Sequence, residues 1–160
     1  MTLRRLQNII RDELNGIEML VQGGCKAFSE DDRTSYSESD QWVSGGKVSL
    51  VVMTPDAERS GSGEGEGIAV GTSIIVQCIE IPQIASTANV IRALTAAQKV
   101  AHVLDGGALE FRSIQQRGSR DRQGNLVVTA TATFEANIIL TEDETSETTE
   151  DETSETNERN

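Results

Sequence analysis

The sequence LVVTATATFEANIIL, which covers residues 126–140, decides the fold of this chain. Its even-numbered positions are all apolar, whereas threonine, glutamate and asparagine hold most of the odd-numbered positions between them. Because side chains alternate between the two faces of a β-strand, this pattern predicts a strand with one buried and one polar face. Such a strand would span about 50 Å at ~3.3 Å per residue, whereas an ordinary strand has roughly 5–6 residues. We therefore predict a strand that is longer than a small domain needs for its own core.

Apolar residues at three- and four-residue spacing predict two helices. The first covers residues 3–21, with Thr2 as its N-cap and the pair Gly23-Gly24 at its end. The second helix has Ser86 or Thr87 as its cap. Its apolar stripe consists of Val90, Leu94, Ala97, Ala101 and Leu104.

The remaining periodic segments predict strands separated by polar connections. Strands are expected at residues 47–54, 68–81, 109–116 and 126–140, with a further short strand at residues 25–28. The connections are expected at residues 29–46, 55–67 and 117–125, which are polar or rich in glycine. We therefore predict an α+β fold: a two-layer sandwich with a mainly antiparallel four-stranded sheet and two helices on one face, in the order α-β-β-α-β-β.

The composition divides the chain into a domain at residues 1–140 and a tail at residues 141–160. The octapeptide TEDETSET occurs twice in succession in the tail, which holds nine of the 26 acidic residues and one of the 14 basic residues. No aromatic or large aliphatic residue follows Leu140, so the tail has nothing to bury, and we expect it to be a disordered acidic segment.

The chain carries no motif that predicts catalysis, a cofactor or a metal ion. His102 is the only histidine, and Cys25 and Cys78 do not have the spacing of zinc ligands, so we expect reduced structural cysteines. The glycine run at residues 61–67 lacks the lysine of a phosphate-binding loop and precedes a predicted strand. No stretch of 18 apolar residues predicts a membrane span. We expect a structural protein and no enzyme.

Two sets of residues are candidates for contacts with partners. The connection before the long strand is basic, and its candidate contacts with a partner or with DNA are Arg117, Arg120 and Arg122. A solvated hairpin tip is the alternative interpretation of these arginines. The candidate subunit contacts are Asp31, Asp32, Thr129, Thr131 and Thr133. We also hypothesise that the acidic region at residues 30–40 of one subunit faces the arginines of the next.

The order of these elements resembles a family of viral assembly proteins. The segments that carry the resemblance are CIEIPQ at residues 78–83, IASTANVIRALTAAQKVAHVLDG at residues 84–106 and VVTATATFEANIIL at residues 127–140. Over residues 1–140 the chain resembles the tail terminator, or tail completion, proteins of long-tailed bacteriophages and prophages. The acidic octapeptide repeat departs from the pattern of that family.

The resemblance implies a mechanical function. It implies a homohexameric ring that caps the tail tube, ends its polymerisation and joins it to the head connector. The implied partners are other copies of the chain, the tail tube protein and the head–tail connector protein, with passive contact to DNA in the lumen. The implied location is the tail or neck of the virion, after assembly in the bacterial cytoplasm.

Two other interpretations of the sequence stay open. The chain could be a tail tube subunit or another neck subunit, which would polymerise into open stacks. It could also be a non-viral soluble binding module whose acidic tail docks on a basic protein, which would be a monomer.

Overall fold

The computed structural model of the chain describes residues 1–32, 35–61, 67–84 and 90–142. The α-helices in these ranges are α1 (Leu3–Asn15), α2 (Glu18–Gln22), α3 (Ser35–Ser44) and α4 (Ala93–Leu104). The strands are β1 (Cys25–Ser29), β2 (Val48–Val52), β3 (Asp56–Arg59), β4 (Ile68–Glu80), β5 (Leu109–Arg120) and β6 (Leu126–Leu140). A short 3-10 helix, Pro82–Ile84, follows β4.

The described strands form one mixed six-stranded sheet in the order β1-β2-β4-β6-β5, with β3 paired to β4 beyond the end of β2. The pair β1–β2 is parallel, and the other pairs are antiparallel. The prediction of a mainly antiparallel four-stranded sheet with two helices is therefore wrong. Its α+β character holds, but the sheet also includes β1, which was predicted only as a separate short strand at residues 25–28, and the unpredicted β3. The described residues contain four α-helices.

The long final strand is confirmed and lies inside the sheet. β6 covers Leu126–Leu140 and pairs with β4 over thirteen residue pairs, from Ile68 opposite Leu140 to Glu80 opposite Val128. On its other side β6 pairs with β5 from Leu126 to Ala136. Because this ladder is far longer than β1, β2 and β3 and slightly longer than β5, it sets the length of the whole sheet.

The predicted buried face of β6 packs against helices. The even-numbered residues Ala130, Ala132, Phe134 and Ala136 are at most 5% exposed. They share one core with residues of α1 and α4. The methyl side chains of the alanines let α4 approach the sheet closely, and Phe134 fills the space between them with its ring against Phe111 at 5.8 Å.

The predicted single helix at residues 3–21 is interrupted. Thr2 caps α1 as expected, because its hydroxyl accepts the Arg5 N–H at 3.1 Å. The helix ends at Asn15, whose side chain bonds to the β1 backbone, and the chain restarts as α2 after Ile17. This break changes the helical phase, so Leu20 is buried and Val21, which the periodicity placed on the apolar stripe, is 49% exposed.

Helix α4 begins with a cap that comes from the sheet. The cap residues predicted for this helix, Ser86 and Thr87, lie outside the described residues. Arg92 stands at the N-cap position without a side-chain bond to the helix. The carboxylate of Glu80 accepts the Ala93 N–H at 2.6 Å and the Arg92 Nε–H at 2.7 Å, and Glu80 is 2% exposed. A buried acidic residue of β4 therefore supplies the anion that a helix N-terminus prefers.

The apolar stripe of α4 differs from the predicted one. Ala97, Ala101 and Leu104 are buried as expected, but Leu94 is 40% exposed. The buried side is completed by Ala93, Ala96 and Val100.

Helix α3 was not predicted and lies on the other face of the sheet. The Ser49 hydroxyl, on the face of β2 opposite Val48 and Leu50, donates to the Ser39 carbonyl at 3.0 Å. The Trp42 indole N–H donates to the carbonyls of Gly24 and Val48. These bonds tie α3 to β1 and β2, so helices cover both faces at this end of the sheet.

Replacing Glu80 tests the cap of α4. Glu80→Ala should lower the free energy of unfolding by about 1–3 kcal/mol, because the buried N–H of Ala93 loses its acceptor. Urea unfolding of both chains measures this difference. Glu58→Ala, which removes an exposed carboxylate from β3, should change the free energy of unfolding by less than about 0.5 kcal/mol. Equal effects of the two substitutions would contradict the role of Glu80.

Candidate functional site

The face of the sheet opposite α1 and α4 is partly open. It carries the odd-numbered residues of β6 and their neighbours on β4 and β5, because paired residues of adjacent strands lie on the same side. Helix α3 covers only the β1–β2 end of this face. Over the rest, no helix among the described residues packs on the sheet.

A groove runs along this face between α3 and the turn that joins β5 to β6. Its volume is about 990 Å³. Its floor contains the apolar side chains of Val51, Met53, Ile79, Ile81 and Val127. Half-buried apolar side chains at the floor of an open groove make it suitable for a protein partner that brings its own apolar side chains.

The two walls of the groove carry opposite charges. Glu30, after β1, and Asp40, on α3, lie on one wall. Arg120, Asp121 and Arg122, at the end of β5 and in the turn, lie on the other, which carries one net positive charge. The predicted acidic and basic regions therefore border one groove of the same chain, whereas the hypothesis of facing subunits places them on two separate surfaces. A partner in this groove would meet a negative wall and a positive wall.

The basic wall is held in a fixed conformation by its own turn. The Asp121 carboxylate accepts the N–H groups of Gln123 at 2.9 Å and Asn125 at 2.8 Å. Arg120 donates to the Gly124 carbonyl at 2.9 Å. The predicted connection at residues 117–125 is shorter than expected, because β5 continues to Arg120. Arg117 therefore lies within the strand, while Arg122 is exposed in the turn.

The two aspartates that were predicted as subunit contacts do not line the groove, but the residue before them does. Asp31 and Asp32 are exposed but do not line it; Glu30 does. Asp31 forms an ion pair with Arg4 at 3.5 Å. This exposed pair contributes little to stability. Because Asp31 is exposed, it remains accessible to a partner.

The three predicted threonines lie in the middle of the open face. Thr129, Thr131 and Thr133 are half-buried. On one side their neighbours are Ile79, Gln77 and Ile75 of β4, and on the other Arg117, Gln115 and Ser113 of β5. The threonines continue the surface beyond the groove but do not line it.

The far end of the sheet presents a second surface. Beyond the last residue of β2 and the first residue of β5, β4 and β6 continue together to Ile68 and Leu140. Ile68 is 45% exposed and Ile139 is 53% exposed. We call the segment formed by residues 67–70 and 137–140 the overhang. It extends the sheet beyond the first residue of β5, while on its other side β3 still flanks β4 at Val70. The two exposed isoleucines lie on opposite faces of the sheet, because Ile68 pairs with Leu140 and Ile139 pairs with Ala69.

A smaller cavity of about 430 Å³ lies on the open face near the overhang. Three of its charged side chains are paired with one another, because Arg112 contacts Glu135 at 2.7 Å and Glu110 at 3.4 Å. All three side chains are about half exposed or more. This is an ordinary surface ion-pair network.

The cysteines do not provide a reactive thiolate. Burial raises the pKa of the Cys25 thiol from 9.0 to about 12, with a smaller contribution from the nearby Glu80 carboxylate. Burial raises the pKa of Cys78 as well, with a smaller contribution from Cys25. Both thiols are therefore protonated near neutral pH.

The described ranges show no other reactive constellation. His102 is exposed on α4. No cluster of three or more His, Cys, Asp or Glu side chains in these ranges could hold a metal ion.

The comparisons with known proteins do not identify a family for the chain. No protein-family model matches the chain, and no curated protein matches it. Within the described residues, no helix is long and apolar enough to cross a membrane.

The sequence contained a signal for the buried role of Glu80 but none for the groove. Glu80 continues the row of buried even-numbered residues of β4, after Ile74, Val76 and Cys78. An acidic residue at such a position indicates a buried partner. The groove depends on α3 and the β5–β6 turn, which are about 80 residues apart in sequence. No local pattern shows that these two elements lie on the same face.

The raised pKa of Cys25 predicts a loss of stability at alkaline pH. Because the thiol ionises more easily in the unfolded chain, its contribution to the free energy of unfolding is present below pH 9 and falls as the pH rises towards 12. Urea unfolding across this range should give a smaller decline for Cys25→Ala than for the parent chain. All other side chains are the same in the two chains, so identical slopes would contradict the burial of a titrating thiol.

Proposed function

We propose that the protein is a structural subunit of a bacteriophage or prophage tail, and that it associates with copies of itself into a ring. It caps the tail tube, ends polymerisation of the tube and joins it to the head connector. The proposed partners are the tail tube protein and the head–tail connector protein, and the proposed location is the tail or neck of the virion. In this function the chain carries no catalytic site.

The observation that best supports self-association is the pair of different surfaces on one sheet. A ring requires each subunit to present two distinct complementary surfaces, because its contacts are heterologous. The groove has an apolar floor, and the overhang carries exposed isoleucines at the other end of the sheet. In the proposed contact the overhang of one subunit enters the groove of the next.

The charged walls of the groove would orient this contact. Opposite charges at the two sides of an apolar floor give the groove a direction, so an incoming subunit is favoured in one orientation over the reversed one. The partly exposed walls supply orientation, and burial of the isoleucines supplies most of the affinity. Passive contact with DNA in the lumen is a further part of the proposal.

The oligomeric state of the full chain tests this proposal. Native mass measurement and negative-stain imaging should show a closed ring of defined mass. Open stacks of increasing length would favour a tail tube subunit, because the same heterologous contact forms a filament when its rotation does not close. A monomer at high concentration would contradict the proposal and favour the soluble binding module.

A matched pair of substitutions tests the overhang. Ile139→Glu places a charge on a side chain that is 53% exposed, so it should abolish the ring while the thermal unfolding of the subunit stays nearly unchanged. Ile9→Glu makes the same change on α1, where the side chain is 39% exposed, and should leave the ring intact. Native mass of the three chains at equal concentration measures the result. Rings that persist in Ile139→Glu would exclude the overhang as the contact.

A further inference from the structure

An acidic stretch of the chain begins at one end of the sheet. The trio Glu-Asp-Glu occurs at residues 142–144 and again at residues 150–152, once in each octapeptide repeat. Both trios follow Thr141, which is fixed by Met1: the Thr141 N–H donates to the Met1 carbonyl at 3.1 Å, and the Thr141 hydroxyl accepts a bond from the N-terminal ammonium at 2.8 Å. We call residues 142–152 the acidic segment. Its starting point is therefore set by the fold, directly after the overhang.

The basic turn lies at the opposite end of the sheet. Arg120 pairs with Leu126, the first residue of β6, whereas Thr141 follows the last residue of that strand. The fifteen residues of β6 separate these ends by roughly 45 Å at about 3.3 Å per residue. Asp151, at the centre of the second trio, is ten residues after Thr141 and lies at most about 36 Å from it in a fully extended chain. A contact with Arg120 or Arg122 of the same chain would require nearly complete extension, so these arginines are left for another molecule.

The arginines near the turn have no ionic partner among the described residues. Arg117, Arg120 and Arg122 form no ion pair there. The neighbouring carboxylate of Asp121 accepts two backbone N–H groups of the turn. We call these four residues the basic end of the hairpin. It carries two net positive charges and therefore suits an anionic partner.

The other end of the sheet offers the acidic segment few cations of its own chain. Arg4 forms an ion pair with Asp31, and Arg5 also has an interaction partner. Arg59, which lies opposite Val70, forms no ion pair within the described part of the chain. One arginine and the N-terminal ammonium cannot balance the six acidic residues of two trios. Most of their charge is therefore left for another surface.

The proposed ring contact brings the two oppositely charged ends together. When the overhang of one subunit enters the groove of the next, its acidic segment begins beside the wall that carries Arg120 and Arg122. We propose that the acidic segment of one subunit docks on the basic end of the next subunit. This inference rests on the proposed ring and names the segment that reinforces its contact. Because the docking joins different ends of two copies, it repeats around the ring in the same direction as the overhang contact.

A full-length chain with a neutral tail tests the acidic side. The acidic residues of both trios are replaced by their amides, which keeps the length of the tail and the size of its side chains. This variant is E142Q/D143N/E144Q/E150Q/D151N/E152Q. It should raise the dissociation constant of the ring about fivefold to tenfold at low salt, because several exposed ion pairs are lost together. Near 1 M salt the difference from the parent chain should disappear, since charges are then screened within about 3 Å.

Removal of the arginines tests the basic side. R120Q/R122Q should weaken the ring to a similar extent, with the same loss of salt dependence. The matched control R4Q/R59Q removes two exposed arginines at the other end of the sheet and should leave the dissociation constant unchanged. A chain that combines the neutral tail with R120Q/R122Q should be no weaker than either variant, because both remove the same contact. Losses that add would overturn the inference. Sedimentation over a range of concentrations gives all these constants.

A mixture of the two variants separates docking between subunits from docking within one chain. Each variant alone lacks one half of the contact. In the mixture, the acidic segment of R120Q/R122Q meets the intact arginines of the neutral-tail variant, so the mixture should associate more tightly than either component at the same total concentration. A mixture that associates no more tightly than its components would assign the acidic segment to its own chain and overturn the inference.

These results separate the inference from the proposed function. A neutral-tail variant that forms rings with the dissociation constant of the parent would overturn the docking and leave the proposed ring intact. A gain on mixing that persists when both variants also carry Ile139→Glu would support the docking and count against the overhang as the ring contact. If R120Q/R122Q assembles normally but no longer retains double-stranded DNA, the basic end binds DNA and the docking is overturned.

Discussion

The pairing of β4 with β6 is the constraint on which the rest of the structure depends. Thirteen consecutive residue pairs hold these strands together, and every other strand is attached to one of them or to a neighbour. The ladder fixes which side chains face α1 and α4 and which face the groove, because a shift by one residue would exchange the two faces. The apolar even-numbered residues of β6 exclude such a shift. Register, core and groove therefore follow from one pattern.

The parts of the fold that sequence reasoning recovered share this long-range regularity. β6 was placed with its correct bounds because alternation over fifteen residues has few competing explanations. β2 was found from the shorter alternation of Val48, Leu50 and Val52, and β4 from its apolar run. The elements that were missed stabilise themselves through distant contacts: α3 offers little beyond Trp42 and the buried Val43, and all residues of β3 are exposed. These elements form because the sheet supplies partners for them, which a local pattern does not show.

The sequence predicted which kinds of residue form the candidate site, but it did not predict how they are arranged. The sequence singled out arginines at residues 117–122 and an acidic region at residues 30–40, and both regions contribute to the groove. The individual predicted residues Asp31, Asp32 and Arg117 do not line it. It did not show that the two regions border one groove of the same chain, since this depends on the position of α3 and on the order of the strands in the sheet. The bonds between the Asn15 side chain and the backbone of Ala27 were equally hidden, because no sequence pattern links these two residues. Topology decided these points.

The cap of α4 has a consequence for how this chain can change during evolution. The helix start is set by Glu80, twelve residues before Arg92 in sequence and adjacent to it in space. The segment that precedes the helix therefore does not need to contain a capping residue. Substitutions can accumulate there without a cost to the helix, whereas position 80 must retain an acidic side chain. Relatives of this protein should accordingly diverge between the strand and the helix while they preserve that single carboxylate.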